Sequence, residues 1–194
     1  MQNKYKNVTL GTVEAVFNKL GGMERVESFL RGNVEIMVIK RTIDLGAAPR
    51  LPFDSAKVVK HEGTGVVEIE LRSDDNLYID GKKVVLHLSE RQMGDKRIVG
   101  HDLRKELEGG EQVLLNSNVL DYLCDHPELF PEHWKKNENG ETRLIFFWRS
   151  IFRDPSDGYL SVRYLCWSDG ELYRYYYWLD FGWRRQNPSA SVAS

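Results

Sequence analysis

The chain has 194 residues, a formal net charge of −2, 41% hydrophobic residues and 29% charged residues. That length is enough to bury a core, and the balance is ordinary for a globular protein. A near-neutral surface provides no field that would draw the chain to nucleic acid or to an anionic membrane. No apolar run approaches the roughly 18 residues of a membrane-spanning helix, and the opening MQNKYKNVTLGTVEAV lacks the apolar core of a signal peptide; a cytoplasmic location is expected.

Residues 12–31 predict a helical hairpin. Thr12 stands where an N-cap is needed and Glu14 in the first turn. Val13, Val16, Phe17 and Leu20 follow at i, i+3, i+4 and i+7. Gly21-Gly22 ends this helix, and Met23, Val26, Phe29 and Leu30 mark a second stripe that Gly32 closes. Residues 34–39 (VEIMVI) predict a strand. Residues 41–63 hold two prolines and no clear period, which predicts loop.

A first β-meander follows. Val67, Ile69 and Leu71 alternate with Glu68, Glu70 and Arg72, the pattern of a half-buried strand. Asp74-Asp75-Asn76 turns the chain, and Asp80-Gly81 between LYI and KKVVLHL predicts a type I′ hairpin. Residues 90–100 predict a polar connection and residues 101–107 a short helix ended by Gly109-Gly110. Ser117 is read as the N-cap of a central helix, NVLDYLCDH, which Pro127 stops. Leu129, Phe130 and Trp134 are expected anchors.

The second meander is predicted at 143–153, 159–167 and 171–179, with turns at DPSDG and SDGE. The polar tail after Trp183, RRQNPSASVAS, is expected to end in mobile residues. Fourteen of the chain's aromatic rings lie between 143 and 183, more than one half-buried sheet needs for its core. Part of that aromatic area is therefore expected on a surface, where it marks recognition. All 12 lysines lie at or before Lys136, whereas seven arginines follow it. Arginine stacks on rings and forks onto carboxylates, so its company with aromatics carries more meaning than the net charge.

No zinc spacing, P-loop, GxGxxG, GxSxG or HExxH occurs. Cys124 and Cys166 sit in apolar patterns and read as structural thiols. His126, His133, Asp121 and Asp125 are the only local cluster resembling metal ligands, and they read as solvated charges at a helix end. No cofactor and no metal is expected. Asp154, Asp157 and Asp169 are explained by turn chemistry, which leaves Asp180 in WLDFGW as the one carboxylate beside rings able to desolvate it.

The pieces LGTVEAVFNKLGGMERVESFLRG, NVLDYLCDHPELFPEHWK, IFFWRSIFRDPSDGYLSVRYLCW and WLDFGW…NPSASVAS resemble an uncharacterised protein family of candidate-phylum, Parcubacteria-like bacteria. The resemblance spans about three quarters of the chain. It implies a bacterial source and carries no established activity.

The expected fold is α+β: a helical hairpin and a central helix packed on two antiparallel β-meanders. It is read as one domain over 1–194, with lobes at 1–100 and 101–194. The expected function is non-catalytic recognition of a partner, foremost a protein or a second copy of the chain. The surface would be built from Tyr173, Tyr175, Tyr177, Trp178, Phe181 and Trp183 with Arg174, Arg184 and Arg185, since Tyr, Trp and Arg dominate interface hot spots. Nucleic-acid binding is the first alternative, and a sugar-active enzyme using Asp180 the second.

Overall fold

A computed structural model describes residues 9–19, 22–32 and 41–193. The chain divides into two compact units, Met1–Ile39 and Lys40–Ser194. In the first, α1 (Leu10–Lys19) and α2 (Met23–Leu30) form the two expected helices. The cap is Thr9 rather than Thr12: the Thr9 hydroxyl accepts from the Thr12 N–H at 3.2 Å, which satisfies one of the orphan donors of the first turn. Gly22, at φ 90°, donates to the Phe17 carbonyl and makes the turn between the helices. The strand expected at 34–39 lies outside the described residues.

The second unit is α+β. Its strands are β1 (Thr42–Asp44), β2 (Lys57–His61), β3 (Val66–Leu71), β4 (Leu77–Ile79), β5 (Lys82–His87), β6 (Ile98–Val99), β7 (Val113–Leu114), β8 (Ile145–Arg153), β9 (Leu160–Ser168), β10 (Glu171–Trp178), β11 (Gly182–Trp183) and β12 (Ser189–Val192). Its helices are α3 (Gly100–Glu108) and α4 (Ser117–Asp125). Ten strands form one sheet along β1-β3-β4-β5-β12-β8-β9-β10, with β2 also on β8 and β7 also on β12. All its pairings are antiparallel except that of β12 with β8.

Both meanders appear where turn chemistry places them. Asp80 and Gly81 take φ 50° and 74°, and Asp169 and Gly170 take 50° and 86°. These are the positive φ values of type I′ turns, whose twist matches the flanking strands. Strand β12 joins the two meanders by pairing with β5 and with β8. The expected mobile tail is thus a central strand, with Ser189, Ala190, Ser191 and Val192 all buried. Residues 41–63, expected as loop, supply β1 and β2, and the connection at 90–100 supplies β6. Each of these strands has two to five residues and a partner distant in sequence, so no local period announces it.

Two cores lie on opposite faces of the sheet. Leu120, Leu123, Leu129, Phe130 and Trp134 pack with Ile145, Phe147 and Leu165 on the α4 face. Leu103, Leu107 and Trp183 pack with Phe146, Trp148 and Val162 on the α3 face. Strand β8 is buried on both sides, which explains the consecutive apolar residues Ile145–Trp148 where a one-sided strand would alternate. Helix α4 begins at Ser117, and its cap is Asn116, whose side-chain oxygen accepts from Asn118 N–H at 3.1 Å. The Ser117 hydroxyl is engaged elsewhere, at 2.9 Å from the buried Ser150 hydroxyl.

Candidate recognition surface

Among the described residues, strand β10 closes one end of the sheet and pairs with β9 alone, in a regular register from Glu171–Ser168 to Trp178–Ser161. Side chains alternate between faces along a strand. Leu172, Arg174, Tyr176 and Trp178 therefore share one face, and Tyr173, Tyr175 and Tyr177 share the other. Contacts agree with this division: Leu172 packs against the core on the α4 side, and the Arg174 guanidinium reaches Asp121 of α4.

The α4 face is organised by charge. Arg163 on β9 and Asp121 are buried, with side chains 4% and 8% exposed, and form a two-pronged pair at 2.7 Å for each hydrogen bond. Arg174 adds a contact of 3.2 Å to Asp121 and one of 3.6 Å to Asp125. Arg50 grips Asp125 at 2.6 Å, and its own carbonyl accepts from Arg163. The Asp125 carboxylate raises the pKa of the Arg50 guanidinium, chiefly through that hydrogen bond. This network pins the 45–56 loop to the sheet, and Phe53 from that loop packs at a tilt against Tyr176 and Trp178 at 5.0 and 6.0 Å between centroids. Arg163 is thus internal to the fold. Forked geometry suits Arg163 and Arg50 to the task, because each guanidinium satisfies both oxygens of one carboxylate.

The opposite face is organised by rings. Tyr173 and Tyr175 stack with centroids 6.1 Å apart and planes 17° apart. The row continues from Tyr175 to Tyr164 at 5.8 Å and from Tyr164 to Phe146 at 5.1 Å. Phe146 rests on Trp183, which also meets Trp148 and Tyr177. The row therefore runs from solvent into the core: Tyr175 and Phe181 are each 50% exposed, whereas Trp183 is fully buried. Gly100 permits this seat, because a Cβ there would strike the Trp183 ring and stand 2.7 Å from the Leu179 carbonyl oxygen. Burial pushes the Tyr164 phenol up to about 12, helped by Cys166 and the neighbouring tyrosines. Glu171 pushes the Tyr173 phenol up. Burial also raises both thiols, so neither Cys124 nor Cys166 is an activated nucleophile.

The structure brings together Tyr173, Tyr175, Tyr177 and Phe181, with Trp183 beneath them. Arg174 and Trp178 lie on the other face. Arg184 and Arg185 line a recess of about 370 Å³ with Gly94, Asp95, Asn139, Glu141 and Gln186, to which β10 contributes nothing; Arg185 pairs with Glu138 at 2.7 Å. The four candidate metal ligands are drawn apart: Asp121 goes to Arg163, Asp125 to Arg50, His126 to the Tyr122 ring and His133 to Asp75. Among the described residues no group of three or more His, Cys, Asp or Glu side chains is placed to hold a metal ion. Asp180 is exposed and faces His101 at 3.5 Å. A further recess of about 620 Å³ collects Lys60, Arg104 and Arg149 with Glu62 and Glu108; each of these charges has an opposite partner within 4 Å. No helix among the described residues is long and apolar enough to cross a membrane.

No protein-family model matches the chain. The curated proteins contain no match either, and neither do the solved structures. The reading of function therefore rests on the geometry of β10.

Proposed function

We propose that this is a non-catalytic recognition protein of the cytoplasm that binds a protein partner through β10. The observation that carries the proposal is Tyr175, half open to solvent and stacked on Tyr173, on a strand whose outer edge is unpaired among the described residues. Tyrosine supplies large contact area at low conformational cost and a hydroxyl for the rim, and an open strand edge supplies main-chain donors and acceptors for an extended segment. A protein partner is favoured over nucleic acid because the β10 arginine is already held by two aspartates and the net charge is −2, whereas phosphate binding shows itself as a basic excess.

The test is a photo-reactive amino acid placed at Tyr175 in the full chain inside bacterial cells, with the same group at Thr42 on the far edge of the sheet as control. A discrete protein adduct at 175 and none at 42 is expected. Equal background labelling at both positions would remove the proposal.

A further inference from the structure

We infer that the strand received by the open edge of β10 is β10 of a second copy, paired antiparallel about Tyr175. This rests on the reading above that β10 is a recognition strand, and it names the partner.

The main chain shows which groups are free. The Leu179 N–H bonds to the Leu160 carbonyl at 2.8 Å, and the two-residue Asp169-Gly170 turn sets the same phase at the other end. Odd-numbered residues of β10 therefore point their N–H and C=O groups at β9, and even-numbered ones point outward. The outward carbonyl of Leu172 accepts from Cys124 and that of Trp178 from Phe181 N–H. Arg174 and Tyr176, at the centre of the strand, have no main-chain partner on that side among the described residues.

An edge of this kind is a liability that proteins usually blunt with proline, lysine, a bulge or shortness. The opposite edge, β1, is only three residues long. Strand β10 has eight residues, no proline, no lysine and an unbroken register with β9. It is built as an edge to be covered.

The order of its side chains selects the occupant. Antiparallel pairing about Tyr175 sets Arg174 opposite Tyr176, so these two exchange both outward hydrogen bonds on each side of the two-fold axis, four in all, in the manner of a narrow antiparallel pair. The aliphatic stem of Arg174 then lies beside the Tyr176 ring of the other copy, an apolar contact that leaves its guanidinium on Asp121. Leu172 meets Trp178, Tyr173 meets Tyr177, and Tyr175 meets itself. No two like charges face each other between 172 and 178, which would otherwise weaken the pairing. The same patch serves both copies, as a two-fold interface requires, and the row of stacked rings becomes continuous across it.

Light scattering on the full chain is expected to give twice 22.5 kDa as concentration rises, with Tyr175→Lys returning to the single-chain mass because two ammonium groups then oppose each other on the axis. Register is read by cysteine pairing under mild oxidation, with the unsubstituted chain as background. Tyr175→Cys is expected to cross-link to itself, because a non-hydrogen-bonded pair brings Cα atoms to about 4.5 Å, within reach of a disulfide. Tyr173→Cys alone lies roughly 14 Å from its counterpart, at about 3.4 Å per residue, and is expected to cross-link only when mixed with Tyr177→Cys. A single-chain mass at every concentration would overturn self-pairing, and so would a dimer that Tyr175→Lys leaves intact. The Tyr175 photo-adduct separates the two readings. An adduct with another protein from a monomeric chain refutes self-pairing and keeps recognition, whereas a monomeric chain with no adduct refutes both.

Discussion

Strands β12 and β10 belong to the same sheet and carry opposite side chains. β12 has neighbours on both sides and is buried throughout, with Ser189, Ala190, Ser191 and Val192. β10 has one neighbour among the described residues and carries five aromatic rings. The difference is one of available volume. At β12 the sheet is flanked by both cores, already filled by Trp134 and Phe147 on one side and by Phe146 and Trp183 on the other, so only small side chains fit at native packing density. At β10 the cores thin out and large rings can extend over the sheet to its rim. The rings of β8 fill the cores and those of β10 spread over the margin, while β12, between them and β5, is left to serine and alanine.

A second contrast lies within β10 itself, between a face fixed by charge and a face that stacks. The first should be needed for folding and the second for binding, and substitutions can test that division. Asp121→Ala should have the largest effect. It strands Arg163 inside the protein, and removing one member of a buried pair costs about 3–5 kcal/mol. Urea denaturation should show the loss, and a cost below about 1 kcal/mol would mean that water reaches Arg163. Ala190→Leu comes next. Overpacking a filled centre costs about 1–3 kcal/mol, seen as a lowered melting temperature; an unchanged melting point would refute the account of β12 as volume-limited.

Alkaline pH probes the stacked face. The Tyr164 phenol is held at about 12 against an ordinary 10.0, so the unfolded chain ionises there first. The stability tied to this group is whole below pH 10 and is lost as pH rises through about 12. Tyr164→Phe should flatten that alkaline decline and remove the last step of the tyrosinate absorbance titration. Tyr175→Ala should matter least to the fold. At a half-exposed position its cost should stay under about 1 kcal/mol, while the Tyr175 contact with any partner is lost. A large destabilisation would assign Tyr175 to the core and break the comparison.

Much of this architecture was legible in the order of residues, wherever the deciding interaction is local. Asp80-Gly81 and Asp169-Gly170 announce their hairpins because those residues tolerate positive φ at little cost. Period-two alternation along β10 puts Tyr173, Tyr175 and Tyr177 on one face and Arg174, Tyr176 and Trp178 on the other, so the surface expected from all of them together is split between two faces. Leu129, Phe130 and Trp134 read as anchors and are buried. Elsewhere the local signal misleads by a residue or two. Ser117 resembles a cap, but its hydroxyl has a partner 33 residues away, and Asn116 caps in its place.

Only the tertiary structure made SASV a central strand, because a tract of small polar residues looks like a tail until two distant strands, β5 and β8, enclose it. Only the tertiary structure turned Arg163 inward, because its partner Asp121 comes from a helix 42 residues earlier. The placement of Trp183 beneath the tyrosines and of Arg184 and Arg185 beside another recess was decided in the same way. Hairpin turns, caps and strand faces follow from neighbours a few bonds away, and the sequence by itself determines them to within a residue or two. Which strand lies at the centre, which charge is buried and which edge stays open depend on pairings between segments far apart in the chain, and those were decided only by the fold.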